Sequence, residues 1–222
     1  MLYIVATPIG NLEDITFRAI RVLKEADLIL CEDSRVTKKL LDRYEIKTPY
    51  SVFHANTADK KIDDYLNALE LGKNIALVTD AGTPGISDPG VLLVMKVKEK
   101  FGNSIPVVPI PGASALTTLV SAAGLPMHEF TYVGFLPQKK GREKLIAEIS
   151  ESKRPTVLFE SPHRVLKLMQ SLDKLGVGKV TIGRELTKIY EEIFDETPKN
   201  LIDKYSKNPP KGEFAIIIHT QK

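Results

Sequence analysis

The chain has one cysteine in 222 residues. That excludes an intrachain disulfide and points to a reducing compartment, the cytoplasm. Cys31 closes the strand-like run Ala26–Cys31, where a thiol reads as core rather than as a nucleophile. The four histidines (54, 128, 163 and 219) are scattered, and no Cys/His cluster has metal-ligand spacing, so no metal site is expected. No apolar run approaches the ~20 residues that span a bilayer. Met1 leads almost at once into a strand, without a basic region or a small-residue cleavage site, so neither a membrane span nor a signal peptide is expected. The sequence also lacks GxGxxG, GxxxxGK[ST] and GxSxG, which removes the usual support for dinucleotide, P-loop and serine-hydrolase readings.

What is present is an ordinary globular composition, 43% hydrophobic and 27% charged, enough for one large domain or two small ones. The net charge of +3 is unevenly spread. Residues 1–135 hold 14 Lys+Arg and 16 Asp+Glu, whereas residues 136–222 hold 17 and 12. The basic second half permits a polyanionic partner, and a solvated lysine-rich surface accounts for it equally well.

The first half alternates strand and helix. Strands are expected at Tyr3–Ala6, Leu28–Cys31, Ser51–His54, Ile75–Val78 and Pro106–Ile110. Helices are expected between them, the first capped by Asp14 or Thr16 and the others at Ser34–Tyr44, Lys60–Leu71 and Val91–Phe101. Such alternation implies a mostly parallel sheet with helices on both faces, an α/β fold. Gly124-Leu125-Pro126 breaks the small-residue helix Ala113–Ala123, which places a boundary between domains 1–125 and 126–222. The second half offers strands at Phe130–Phe135, Thr156–Phe159, Lys179–Gly183 and Phe214–His219. Helices are expected at Arg142–Ser150, Pro162–Leu175 and Pro198–Tyr205, with a Glu-rich segment before the last.

Two glycine- and proline-rich loops follow buried strands: Thr79-Asp80-Ala81-Gly82-Thr83-Pro84-Gly85-Ile86-Ser87-Asp88-Pro89-Gly90 and Pro109-Ile110-Pro111-Gly112-Ala113-Ser114-Ala115. Loops at the carboxyl ends of parallel strands are where open α/β sheets bind ligands, and glycine lets a backbone approach closely. Ser114 is placed to cap the helix that follows. Two arginines sit in the first turn of a helix, Arg35 in Glu32-Asp33-Ser34-Arg35 and Arg164 in Glu160-Ser161-Pro162-His163-Arg164. They either pair with Glu32 and Glu160 or hold an anionic substrate. In Gly183-Arg184-Glu185-Leu186-Thr187-Lys188, a lysine beside carboxylates can assist removal of a hydroxyl proton, or the segment is an exposed polar loop.

Taken in order, these segments resemble the tetrapyrrole methylase superfamily. The shared set adds Thr7-Pro8-Ile9-Gly10-Asn11-Leu12-Glu13-Asp14-Ile15-Thr16, Gly134-Phe135-Leu136-Pro137 and Lys211-Gly212-Glu213 to those above. Within the superfamily the chain is similar to the bacterial methyltransferases that modify a cytidine ribose 2′-oxygen in the decoding region of small-subunit (16S) ribosomal RNA. The resemblance covers nearly the whole chain. It implies two α/β domains, S-adenosylmethionine in the cleft between them, a homodimer, and ribosomal RNA or the small ribosomal subunit as partner. Carried over by position, cofactor contacts fall on Pro8, Ile9, Asp80, Gly82 through Ser87 and Asp88, Pro111, Gly112, Ser114, Ala115, Glu160, Ser161, Leu186 and Gly212. Lys188 and Glu185 become the catalytic pair, as base or as a cation for the alkoxide, and Arg35, Arg164 and Arg184 the phosphate contacts. Two rival readings are a corrin or porphyrin methylase of the same superfamily and a non-catalytic RNA-binding or assembly protein. Family members often continue into a small helical extension. With the sequence ending at Lys222, weaker RNA binding or a surface supplied by a partner is expected. Gly85, where the family has a larger apolar residue, is expected to loosen its loop slightly.

Overall fold

Leu2 and Ile4 point to one face of strand β1 (Leu2–Val5), Tyr3 and Val5 to the other, and each face has its own core cluster. That is why the strand shows no polar alternation: a parallel strand covered on both sides is apolar throughout. The computed structural model describes residues 1–88 and 90–220. Pro89, from the first of the two glycine- and proline-rich loops, and the end of the chain at Gln221 and Lys222 lie outside them. The chain divides into two compact units, Met1–Ser114 and Ala115–Lys222.

In the first unit β1 is followed by a short 3-10 helix (Leu12–Asp14) and α1 (Phe17–Glu25). The Thr16 hydroxyl caps α1 by accepting from the Ala19 N–H at 3.0 Å. Then come β2 (Leu28–Cys31), α2 (Ser34–Arg43), β3 (Tyr50–Val52), α3 (Asp59–Glu70), β4 (Ile75–Leu77), α4 (Gly90–Phe101) and β5 (Val107–Ile110). The sheet runs β3-β2-β4-β1-β5 and every pairing is parallel. Ala19, Val22 and Leu23 of α1 and Leu41 of α2 cover one face. Ile62, Leu66 and Leu69 of α3 and Leu93 and Val97 of α4 cover the other. After β2 the chain moves outward to β3; after the adjacent β4 it moves the opposite way, past β1 to β5. That divergence is a topological switch point, with its crevice at the carboxyl edge.

The second unit opens with α5 (Ala115–Ala122) and continues through β6 (Thr131–Phe135), α6 (Arg142–Ser150), β7 (Thr156–Glu160), α7 (Pro162–Lys174), β8 (Val180–Arg184), β9 (Glu192–Glu196), α8 (Pro198–Lys207) and β10 (Phe214–Ile218). The sheet order is β6-β7-β10-β8-β9; β6 and β7 are parallel and the remaining pairs antiparallel. Ile146, Val165, Leu168, Met169, Leu172, Leu201 and Tyr205 bring α6, α7 and α8 onto one face. Helix α5 packs against β10. Gly183 makes room there, because a Cβ on it would come within 2.8 Å of Leu119. This packing moves the boundary to 114/115, ahead of the helix-breaking Gly124 where the sequence suggests it. The Glu-rich segment is a strand, β9, paired with β8 over five residues. All the expected strands and helices are present, with ends shifted by two residues at most.

Candidate active site

In the first unit the loops after β1, β4 and β5 are stitched together by main chain. Thr7 N–H donates to the Gly82 carbonyl at 2.9 Å, and Gly82 N–H returns a bond to the Thr7 carbonyl at 3.0 Å. The Thr7 hydroxyl donates to the Thr79 carbonyl at 3.0 Å, and the Thr83 hydroxyl to the Ala113 carbonyl at 3.3 Å. Two glycines permit this closeness. Gly82 has φ +82° and lies over the Ile9 side chain; a Cβ on Gly112 would come 3.0 Å from that of Ala6. Asp88 folds its own loop, its carboxylate accepting from the Gly85 N–H (2.8 Å) and the Gly90 N–H (2.7 Å).

The switch point is acidic. Asp80 accepts from the Asp33 N–H at 2.9 Å, and Glu32 from the Thr79 hydroxyl at 3.2 Å. Burial, then the charge of Asp80, pushes the Glu32 carboxyl above its usual range; burial does the same for Asp80, with the Asp33 charge adding to it. Asp33 goes the other way, down to about 2, because it accepts the Arg35 guanidinium on both oxygens (3.0 Å at Oδ1, 2.5 Å at Oδ2) and caps α2. The edge is therefore short of positive charge at Glu32 and Asp80.

In the second unit β6, β7 and β8 end at one edge, where β10 begins: Phe214 faces Glu160 on one side and Arg184 on the other. The Glu160 carboxylate is 1% exposed and lies between two guanidinium groups. Arg164 Nε is 2.7 Å from one oxygen. Arg142 Nη2 is 2.8 Å from the other, a close approach of charges outside hydrogen-bond angles. The Ser161 N–H donates to the oxygen that Arg164 approaches, at 2.8 Å. Across the edge the β8–β9 loop turns twice through left-handed backbone without glycine, at Glu185 (φ 50°) and Thr187 (φ 66°). Lys188 Nζ reaches Glu185 Oε1 at 2.9 Å and Glu213 Oε2 at 2.8 Å, and Glu185 Oε1 also accepts from the Glu213 N–H at 2.9 Å. Gly212, at φ +90°, has to be glycine: a Cβ there would fall 2.4 Å from Glu185 Cγ. Burial alone would lower the Lys188 pKa, but the two carboxylates outweigh it and raise it; for Glu185 burial is likewise overcome, and its pKa falls. Both groups are ionised at neutral pH.

A family model described as "Tetrapyrrole (Corrin/Porphyrin) Methylases" matches residues 1–202. The chain belongs to this family. Among curated relatives, "Ribosomal RNA small subunit methyltransferase I" of Thermotoga maritima is 43% identical, covering 98% of this chain and 97% of its own length. The protein of the same name from Borrelia garinii subsp. bavariensis is 48% identical, over 98% of each chain. Solved structures share the fold at low identity. Diphthine synthase superposes with a TM-score of 0.76 at 14% identity, over 100% of this chain and 90% of its own. Uroporphyrin-III C-methyltransferase from Thermus thermophilus, solved with S-adenosyl homocysteine, gives 0.65 at 19%, over 97% and 96%.

Against this tetrapyrrole methylase fold, the sequence-derived residues sort clearly. In the first unit Ile9, Gly82, Gly112, Ser87 and Asp88 lie in or beside the stitched loops, and Asp80 lies on the acidic edge; Pro8 is buried, Pro111 is exposed, and Ser114 directly precedes α5, which Ala115 opens. In the second unit the carboxyl edge gathers Glu160, Ser161, Glu185, Lys188 and Gly212. Leu186 is buried, with its side chain turned in on Gly183. Each of the three arginines has a carboxylate partner. Arg35 pairs with Asp33 rather than Glu32, Arg164 with Glu160, and Arg184 with Glu192 (2.6 Å) and the Lys211 carbonyl. Of the two roles expected for Lys188, base or cation for the alkoxide, its two carboxylate partners favour the cation. Glu160 does not reach outward as a ligand contact; it holds two cations. Two further residues join the edge: Arg142, marked in the sequence only as an Arg at a helix start, and Glu213 of Lys211-Gly212-Glu213.

Proposed function

We propose that this chain is a small-subunit ribosomal RNA methyltransferase that moves a methyl group from S-adenosylmethionine to the 2′-oxygen of a cytidine ribose. The observation that carries the reading is the Lys188–Glu185–Glu213 cluster, standing at the sheet edge of a chain whose relatives at 43–48% identity are small-subunit RNA methyltransferases. The donor suits the residues present. Glu32 and Asp80 are carboxylates whose ionisation is disfavoured by burial and by neighbouring carboxylates, Asp80 for Glu32 and Asp33 for Asp80, so a ligand bearing positive charge is welcome beside them. Gly82 and Gly112 let the loops beside them close on one another. When bound, S-adenosylmethionine supplies an activated methyl group on a sulfonium.

The protein's own part is orientation and charge. The stitched loops fix the donor's position, and alignment of the reacting atoms supplies much of the rate. A ribose hydroxyl is a poor nucleophile, and Lys188, held cationic by two carboxylates, offsets negative charge as its proton departs. Glu185 fixes the lysine; as the methyl group would leave sulfur for the ribose oxygen, the hydroxyl proton would pass to water. Consistent with the resemblance, the working form is a homodimer in the cytoplasm, where the subunit is assembled.

Incubation with methyl-labelled S-adenosylmethionine and small subunits from a strain lacking the activity tests this, with mass mapping of the RNA. One 2′-O-methyl cytidine in the decoding region is expected. Cofactor binding by calorimetry with no labelled RNA would replace the RNA substrate by a small ring.

A further inference from the structure

Strand β6 lies at the outer edge of the second sheet and ends on Phe135, which is 54% exposed while packing edge-on against Phe159 at 5.6 Å. The loop that follows is exposed from Pro137 to Gly141. It carries Lys139 and Lys140, neither of which meets a carboxylate among the described residues. Every arginine or lysine so far placed at this edge (Arg142, Arg164, Arg184 and Lys188) spends its charge on a glutamate. These two lysines do not. The loop is nonetheless anchored. Arg142, 8% exposed, donates from Nη1 to the Pro137 carbonyl at 3.4 Å and sets Nη2 against Glu160, so one arginine closes the loop on itself and ties it to β7.

A half-exposed ring followed within five residues by two uncompensated cations matches what an unpaired nucleic-acid strand presents, a base face and a phosphate. The unit is basic as a whole, with 17 Lys+Arg against 13 Asp+Glu from Ala115 onward. In the order β6-β7-β10-β8 the end of β6 is three strand spacings, about 14 Å, from the end of β8 that leads to Lys188. That is the reach of a short stretch of single strand.

We propose that Phe135, Lys139 and Lys140 form a single-stranded RNA contact, the lysines on phosphates and the ring beneath an unpaired base close to the ribose to be methylated. The proposal rests on the RNA-methyltransferase reading, and it reassigns phosphate binding from the three paired arginines to two free lysines.

The test uses the full chain and a fluorescent single-stranded oligoribonucleotide spanning the methylated site, with anisotropy read over a salt series. Lys139→Ala/Lys140→Ala is expected to weaken binding about tenfold and to flatten the log K against log salt slope by about 1.4, two phosphates at ~0.7 each. Phe135→Ala is expected to weaken binding about tenfold with the slope unchanged, because stacking carries no counterion release. The sequence has no tryptophan, so Phe135→Trp adds a single reporter whose emission the oligonucleotide should quench. Cofactor affinity by calorimetry should stay at the wild-type value throughout. Unchanged oligonucleotide affinity and slope in the lysine variant would overturn the proposal. So would weakened binding to intact small subunits alone, which would make the loop a protein-docking surface. Wild-type protein that neither binds the oligonucleotide nor methylates subunits overturns the underlying reading as well; wild-type methylation with unaffected variants overturns only this contact.

Discussion

At the scale of single residues the decisive fact is a charge state. Lys188 has a carboxylate on either side and Glu185 has three hydrogen-bond and charge partners, so the lysine titrates above its ordinary value and the glutamate below its own. A raised lysine pKa keeps the cation at every pH below the unfolded value near 10.4, and on the alkaline side its contribution to stability is lost as pH climbs through the folded value. The lowered Glu185 pKa keeps its contribution down to below the usual carboxylate range. Between about pH 6 and 9 neither group changes state. The pH–rate profile is therefore expected to show no lysine-dependent rise in that window. Lys188→Ala is expected to lower kcat about 10²–10³-fold, the loss typical of one preorganised charge contact. Lys188→Arg, which keeps the cation, should retain most of the rate, and donor affinity should stay constant in both. A rising limb near neutrality that vanishes in the arginine variant would make the lysine a proton acceptor after all.

At the scale of elements, the junction of β7 and α7 is organised around Glu160. Its carboxylate faces Arg142 at the start of α6 and Arg164 in the first turn of α7, and it accepts the Ser161 N–H. Breaking a buried pair leaves an uncompensated charge, which costs about 3–5 kcal/mol. Glu160→Gln strands two guanidinium groups at once. Urea unfolding followed by circular dichroism should show a loss of at least about 3 kcal/mol, whereas Arg164→Lys, which keeps a cation at the more exposed of the two arginine positions, should lose less. This junction shows what was and was not legible in the sequence. Pro162 at the first helical position and the period of Val165, Leu168, Met169 and Leu172 mark α7 locally, because capping and amphipathicity are written within a few residues. The partner of Arg142 is 18 residues away in sequence and becomes its neighbour only through β6–β7 pairing, so no local pattern announces it. Strand β9 escaped for the same reason. Glu192-Ile193-Phe194-Asp195-Glu196 is rich in charge, and what makes it a strand is its register with β8, where Thr181 donates to Asp195 at 2.7 Å and Arg184 pairs with Glu192. In the first unit, by contrast, β1, β2, β4 and β5 are apolar throughout and β1 to β4 are each followed by a helix of the same unit, so the pattern was readable from local sequence.

At the scale of the whole molecule, the two units differ in how much of their outline the sequence reveals. The glycine and proline after α5 end a helix but do not end a domain. Leu119 is fully buried, its Cδ1 sits where a Cβ on Gly183 would intrude, and α5 packs on β10, the central strand of the second sheet. Ala215 and Gly183 are register partners on those neighbouring strands, and small residues there let a helix lie close. A fragment cut at residue 126, where the sequence suggests a boundary, would thus expose Leu119's seat on the sheet, whereas one cut at residue 115 keeps it filled. Removing a single buried leucine costs about 2–5 kcal/mol through lost transfer and the cavity left behind, and removing the helix that carries it also bares β10 to water. The 115–222 fragment is expected to melt cooperatively, and the 126–222 fragment to melt well below it or to fail to fold, as read by thermal circular dichroism at matched concentration. Leu119→Ala in the full chain separates helix packing from fragment artefacts: it should reproduce a loss of about 2–5 kcal/mol in urea. Equal melting of the two fragments would return α5 to the first unit and restore the boundary at the glycine.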